Sequence, residues 1–446
     1  MEKQWEEMSP DEKQEAMFQK WLSAPDIEFV SPEAEKLYKA RITLFKDAIQ
    51  LKKVPDRVPV FANVGFFPAI YSGFTAQDAM YDYDKLHAAW KKYVLDFEPD
   101  AHLGAGIPGS GRVLDILDYK LYAWPGHGVS PNYSYQCREG EYMTADEYDA
   151  LIQDPSYFFN NTYLPRICGA LEPFSHLPNL TSFVKIVFVS PLLIPFGMPP
   201  IQAAYKSLLE AGSEALKWWG VCQAFDKEMA GLGFPNLLGG GFTNVPFDVI
   251  GDTLRGTEGI MTDIYRQPDK LLQALEVLTP LMIKFGLLMA KMQGHPMVFM
   301  PLHKGGDPFL SNEQYKTFYW PTYRKLLMGL INEGCVPWSF VEGAYNTRLE
   351  IIRDLPKGKV LWYFDKTDMA KAKEILGDIA CIGGNMPIDL LSVGTPQDIK
   401  DYAKKLIATA GKGGGYIMMN GAVIDNVPPE NLHAMIDATK EYGVYK

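Results

Sequence analysis

Short apolar runs of strand length recur along the chain. Each is followed by a turn rich in glycine or proline and then by a segment whose apolar residues return every three to four positions. The runs fall at residues 58–64, 101–105, 183–191, 298–302, 336–341, 360–364, 380–384 and 415–419. Such alternation predicts parallel strands joined by crossover helices. Eight runs in one chain predict an α/β protein built as a (β/α)8 TIM-like barrel rather than an open sheet, and no G-x-G-x-x-G fingerprint or Walker loop points to a nucleotide fold. The helical periodicity is clearest at 200–232, 270–293, 312–332 and 395–410, where Thr395-Pro396 supplies a capping residue followed by proline at the first helical position. Ahead of the first run, residues 1–54 read as an N-terminal helical extension. Leu37, Ile42, Leu44, Phe45, Ile49 and Leu51 lie among charged positions there, and Ser31-Pro32-Glu33 has the form of a helix start. The barrel itself is expected over 55–446.

Charge and composition narrow the function classes. In 446 residues, 43 Lys plus Arg stand against 54 Asp plus Glu, a formal charge of −11. That excess argues against nucleic acid as a partner, since phosphate neutralisation needs a basic surface. The five cysteines, Cys137, Cys168, Cys222, Cys335 and Cys381, are scattered and form no C-x-x-C pair, which predicts reduced thiols rather than a disulfide or zinc-ribbon framework. Cys335 and Cys381 fall beside or within apolar runs and read as packing residues. Residues 1–19 are too charged for a secretory signal. Lys185 and the prolines at 191, 195, 199 and 200 interrupt the most apolar stretch, so no membrane-spanning segment and a cytoplasmic location are expected.

In a β/α barrel the chemistry sits where strands end. The residues just past the runs are Asn63, Phe66 and Phe67 after the first; Pro191 after the third; and His303, Lys304 and Asp307 after the fourth. Glu342, Asp365, Asn385 and Asn420 follow the last four in turn. Glu342 and Asp365 are neighbours in barrel order, and two carboxylates in a desolvated site raise one pKa, which suits a general acid near neutral pH. Glu342 could equally pair with Arg348 or cap the following helix. His303, Glu342 and Asp365 together could also make an N/O site for zinc, or His303 could be a satisfied structural histidine. Trp338, Phe340 and Trp362 are either barrel core or the flat walls of a pocket.

The stretch Gly383-Gly384-Asn385-Met386-Pro387, then Gly394-Thr395-Pro396, Gly414-Gly415-Tyr416-Ile417, Pro429-Glu430-Asn431 and Ala434-Met435, resembles the uroporphyrinogen decarboxylase superfamily. Pro246-Phe247-Asp248 with Asp252, Arg255-Gly256, Asp263 and Gln267-Pro268 resembles its middle portion, so the likeness runs from about Pro55 onward. The resemblance implies a β/α barrel and one of two chemistries, porphyrinogen decarboxylation or corrinoid-dependent methyl transfer. The decarboxylases carry an Arg-Gln-Ala-Gly-Arg segment after the first strand and a Gly-His-Gly-type turn after the last. Here those places read Val64-Gly65-Phe66-Phe67-Pro68-Ala69 and Asn420-Gly421-Ala422-Val423, which disfavours decarboxylation. The thiol-directed methyltransferases bind zinc through His-x-Cys and a later Cys, and the matching positions here resemble Phe340-Val341-Glu342 and Ala422.

What remains is similar to the aryl methyl ether O-demethylase methyltransferases of acetogenic and related anaerobes, which Gly140 to Tyr148 (Gly-Glu-Tyr-Met-Thr-x-x-Glu-Tyr) also resembles. The resemblance implies an enzyme that moves methyl from a methoxylated aromatic to a cob(I)amide held on a separate corrinoid protein. A phenoxide is a poor leaving group, so the ether oxygen needs a proton or a Lewis acid. Glu342, Asp365 and His303 are the expected catalytic residues. Asn63, Phe66, Phe67, Trp338, Phe340, Trp362, Lys304, Asn385 and Asn420 are the expected substrate contacts, with no nucleic acid or membrane as partner. Two other readings stay open: transfer from a methylcorrinoid to a thiol or other acceptor, and a non-catalytic barrel that binds an aromatic or a tetrapyrrole.

Overall fold

A computed structural model describes residues 3–183 and 189–445. Its centre is a five-stranded parallel sheet in chain order: Met297–Leu302, Val336–Val341, Leu361–Phe364, Cys381–Gly384 and Tyr416–Ile417. Three extended segments continue it. Residue 60 bridges 418 in parallel, and the Met418 amide donates to the Pro59 carbonyl at 2.9 Å. The Asp100 amide donates to the Val60 carbonyl (2.8 Å), the Leu237 amide to the His102 carbonyl (2.8 Å) and the Thr243 amide to the Phe299 carbonyl (2.9 Å). The regular sheet is thus open, and single bonds and isolated bridges carry it around through residues 58–64, 100–103 and 236–243 to its other edge. This is the expected β/α barrel architecture, with three irregular members.

Side chains alternate along each strand as the two-residue period requires. Trp338, Phe340, Leu361, Tyr363, Ile417 and Met419 face inward in one core, while Val298, Met300, Val341, Trp362, Phe364, Ile382 and Met418 face the helical layer in another. The interior is aromatic: Trp338 meets Phe299 and Phe61 edge-on at 4.9 and 5.5 Å, and Phe340 stacks on Tyr363 at 4.3 Å.

Helices Pro10–Ser23 and Pro32–Gln50 occupy the N-terminal segment, each opened by a serine cap, Ser9 and Ser31, with proline next. They close the end of the barrel where strands begin. Phe18, Trp21, Ile42 and Phe45 join the same core as Phe61 and Trp338. The approach is close enough to need glycine. At Gly334 (φ +83°) a Cβ would lie 2.6 Å from the Lys13 carbonyl carbon, and at Gly358 (φ +69°) 2.3 Å from the Gln50 carbonyl oxygen.

Helices Pro199–Gly231, Pro268–Gln293 and Pro396–Thr409 stand within a few residues of their predicted bounds, and the helix predicted over 312–332 runs from Asn312 through a wider turn at Tyr315–Tyr319 into Trp320–Asn332. Thr395 caps the last through a reciprocal pair with Asp398. One expected rim position moves. The run 183–191 falls largely on residues 184–188, which lie outside the described residues; from 189 the chain is in helix Val189–Gly197, so Pro191 stands on a helix rather than at a barrel rim. The strand position it was given belongs to residues 236–243, whose three glycines hide the apolar pattern. Helix Pro268–Gln293 is long and apolar enough to cross a membrane by length and composition, with a mean hydropathy of 1.6 over an 18-residue window, a third of which is buried in the fold. Its two prolines, at 268 and 280, do not interrupt it.

Candidate active site

Strand register builds the rim at the other end of the barrel. Leu302 pairs with Val341 and Val341 with Phe364, and the ladder runs one step further: the Glu342 amide donates to the Leu302 carbonyl and the Asp365 amide to the Val341 carbonyl, both at 3.2 Å. His303, Glu342 and Asp365 therefore leave adjacent strands at one level. His303 and Glu342 meet directly, Nε2 lying 3.4 Å from Glu342 Oε1, while Nδ1 contacts Asp252 Oδ2 at 2.5 Å. Lys304 Nζ reaches the other Asp252 oxygen at 3.3 Å. Asp248 fixes the turn, accepting from the His303 and Lys304 amides (3.1 and 2.9 Å) and from the Tyr319 hydroxyl (2.8 Å). Asp365 accepts from the Gly343 amide at 3.2 Å. Glu342 does not pair with Arg348, whose guanidinium is spent on the 305–312 loop through the Gly305 and Leu310 carbonyls and Asn312.

The electrostatics follow from this arrangement. Burial would lower the His303 pKa, but hydrogen bonds to Asp252 and Glu342 outweigh it and push the group up to about 11, so it stands as imidazolium at neutral pH. Burial, then the Asp252 charge, raise Asp248. Burial also raises Asp365 and Asp425, against the Gly343 and Phe66 amides that hydrogen-bond to them. The result is an acidic rim around one protonated imidazole.

A cavity of about 160 Å³ opens beside Glu342, walled by Asn63, Tyr135, Phe299, Trp338, Phe340 and Val423 among others. An apolar cavity of about 150 Å³ holds one benzene ring, so this one has the volume of a single arene. The structure thus brings Asn63, Trp338, Phe340 and Glu342 to one cavity. Other expected contacts do not line it. Phe67 packs outward on Tyr71, Tyr93 and Phe97, and Trp362 faces the helical layer edge-on to Tyr323 at 6.1 Å. Phe66 reaches the rim only through Tyr135, at 5.7 Å. Asn420 is a strut, accepting from the Asn63 amide (2.8 Å) and donating to the Asn63 and Ala422 carbonyls (3.0 and 2.5 Å). Asn385 is buried and donates to the Thr367 carbonyl at 2.8 Å. Lys304 is held by Asp252 and lies over the Phe309 ring.

The expected zinc set is not assembled. Among the described residues no three His, Cys, Asp or Glu side chains are placed to hold a metal ion, and both His303 nitrogens already face carboxylates. As arranged, these residues do not fit zinc. Asp248, Asp252, Tyr135 and Asp425 were missed as site residues because none directly follows an apolar run. Asp248 and Asp252 did stand in the Pro246-Phe247-Asp248 motif, which was the available signal. The neighbouring motif is structural: Arg255 makes a two-pronged bond to buried Asp263 (2.6 and 3.2 Å), and Tyr148, closing the Gly140 to Tyr148 segment, donates to the same carboxylate at 2.8 Å.

The fold is a β/α barrel with an imidazole held between carboxylates at its rim. Residues 222–442, just under half of the chain, match the model of the uroporphyrinogen decarboxylase (URO-D) family. Uroporphyrinogen decarboxylase from Geotalea uraniireducens is 29% identical over 130 residues, 29% of this chain and 37% of that protein; the Psychromonas ingrahamii enzyme is 37% identical over 78 residues, 17% and 22% respectively. The Geobacter sulfurreducens enzyme is 25% identical over 217 residues, 47% of this chain and 61% of that one. The matches thus span 22–61% of the length of these curated relatives, less than two thirds of each. A methyltransferase from Methanosarcina mazei superposes with a TM-score of 0.58 over 91% of this chain and 98% of its own, at 16% identity, a likeness of fold.

Proposed function

We propose that the protein is a methyltransferase that takes the methyl group of a methoxylated aromatic and passes it to the cob(I)amide of a separate corrinoid protein, releasing a phenol. One observation carries this reading: Glu342, backed by His303 and Asp252, faces a one-ring cavity with aromatic walls. Porphyrinogen decarboxylation, the activity of the curated relatives, fits these residues poorly. The substrate of that reaction carries several carboxylates, and no Lys or Arg is among the residues lining the cavity.

The rim also fits a corrinoid brought by a partner. Tyr135 and Val423 line the cavity yet stay 38% and 43% exposed, so the cavity reaches the surface where a carrier would dock. Cob(I)amide, when supplied, provides the nucleophile that accepts the methyl cation equivalent. The remaining work falls to this chain. Trp338 and Phe340 hold the ring, and the proton that His303 carries at Nε2 passes through the Glu342 carboxylate to the ether oxygen as the O–CH3 bond breaks, so that the leaving group departs as a neutral phenol. Asp252 at Nδ1 stabilises the imidazolium before the transfer and fixes the ring's orientation, and solvent returns the proton to His303 afterwards. No step runs through zinc.

The test is methyl transfer from a panel of methoxylated aromatics to a cob(I)amide-loaded corrinoid protein, followed by the cobalt absorbance change with assay of the phenol. Reaction from methylamines or methanol alone would remove the aryl ether from the proposal, and no reaction with any donor would remove the methyltransferase.

A further inference from the structure

A second, larger cavity adjoins the first. It has a volume of about 1020 Å³ and shares Leu103, Ile107, Leu238, Phe299 and Pro301 with the one-ring cavity at the rim. By the same comparison it could hold about six rings, far more than a monocyclic ether needs. It opens to the surface beside Phe242 and Trp219, which are 50% and 38% exposed.

Lys20, Asp26, Gln223, Lys227, Asn244 and Gln293 are among its polar lining, and one carboxylate oxygen in it is left without a partner among the described residues. Trp218, Cys222 and Asp226 are spaced four apart on helix Pro199–Gly231 and so form one stripe, and all three line the cavity. Asp226 Oδ2 accepts from Asn236 Nδ2 at 3.0 Å. Its other oxygen, Oδ1, is buried with no hydrogen-bond partner among the described residues, as is Trp218 Nε1. His102 Nδ1, 4.0 Å from Oδ1, already accepts from the Gly104 amide. Gly104 leaves the space open: a Cβ there would stand 3.2 Å from Asp226 Oδ1 and 3.0 Å from Asn236 Nδ2, and its φ of +78° disfavours any side chain. Burial pushes the Asp226 carboxyl up to about 7, the cost that a ligand donor would relieve. A buried acceptor without a partner is destabilising, so its retention in a wide aromatic-walled cavity marks a place for a donor from outside the chain.

We infer that this cavity binds the body of the methyl donor, which is therefore a methoxyarene of two or more rings carrying a hydroxyl or protonated amine at the end remote from the methoxy group, where it meets Asp226. The inference rests on the aryl ether reading above for the methoxy end only. The donor's reacting ring sits at the rim beside Glu342, and the rest passes along the shared wall of Leu103, Leu238 and Phe299.

Equilibrium binding, measured by calorimetry with no corrinoid protein and no turnover, tests it. The compounds are 4-methoxyphenol, 4-methoxybiphenyl, 4′-hydroxy-4-methoxybiphenyl and its 4′-aminomethyl counterpart. The intact protein should bind at least one of the last two ten-fold or more tighter than both of the first two, and which of them gains identifies hydroxyl or ammonium as the donor. Asp226→Ala should abolish that gain and leave 4-methoxybiphenyl unchanged. Equal affinity across the four compounds in the intact protein would overturn the inference, whether or not the variant folds. So would a gain that survives Asp226→Ala in a variant with an unchanged circular dichroism spectrum. Should the binding pattern appear while no ether ever yields its methyl group, the cavity assignment stands and the O-demethylase reading falls. Methyl transfer without the pattern does the opposite.

Discussion

Asp252 holds His303 through Nδ1 at 2.5 Å, so that the opposite nitrogen points at Glu342, 3.4 Å away. A helical residue thereby sets the orientation and charge of a group at the end of a strand, and the two together keep a proton next to the carboxyl that lines the cavity.

Replacing Glu342 with Gln keeps the shape of the cavity wall and removes the carboxylate that relays the proton. Methyl transfer from an aryl ether should fall by about 10²–10⁴-fold in kcat, with the melting temperature unchanged. Single-turnover kinetics with preloaded carrier check this, and full activity in the variant would take the relay role from Glu342.

Asp252→Asn acts on the pH profile. In the intact protein His303 is held up to about 11, so the part of the rate that depends on its proton should be flat through neutrality and fall only toward that value. Without the Asp252 charge, burial pulls the imidazole down, and the alkaline limb should move toward neutral pH, costing about ten-fold or more at pH 8. NMR titration of the histidine ring measures the shift directly, while a merely structural Asp252 would leave it in place.

The same ion pair has a stability signature. Because the His303 pKa is raised on folding, from 6.5 to about 11, its contribution is fully present below pH 6.5 and is lost as the pH rises toward 11. Denaturant midpoints measured across that range should decline with pH in the intact protein and more weakly in Asp252→Asn.

Trp362 and Phe340 should separate cleanly. Phe340→Ala removes a wall of the cavity and should raise KM for the ether. Trp362→Phe, on the outward face, should leave KM unchanged, and Trp362→Ala should cost about 3–5 kcal/mol of stability. A KM change in Trp362→Phe would contradict the outward assignment.

Asn420→Ala should cost stability rather than affinity. Its side-chain oxygen is the partner of the buried Asn63 amide, and leaving that amide unpaired costs about 1–3 kcal/mol, while the Asn63 carbonyl keeps the Ile424 amide at 2.9 Å. Chemical denaturation reads the loss.

The last five strands were legible because parallel strands covered on both faces are continuously apolar. The segment 236–243 was not, since Gly239, Gly240 and Gly241 carry no apolar side chain, and the proline-interrupted 183–191 took its place. Within the strands, apolar runs do not reveal parity. Trp338 pairs with Leu361 and Phe340 with Tyr363, so Trp362 stands beside outward-facing Ser339, and only the register decides this. Glu342 and His303 were found from position alone, because strand ends converge in a barrel. Asp252 escaped that rule, being on a helix that approaches the rim from outside.

Asn420 joins a strand 357 positions earlier in the chain. During synthesis the segment around Asn63 therefore leaves the ribosome with its final neighbour still unmade. At about 5–20 residues per second it waits roughly 20–70 s with one edge unpaired. Nascent chains of this protein are expected to depend on chaperone protection through most of translation, and the barrel to become protease-resistant only after residue 420 has emerged.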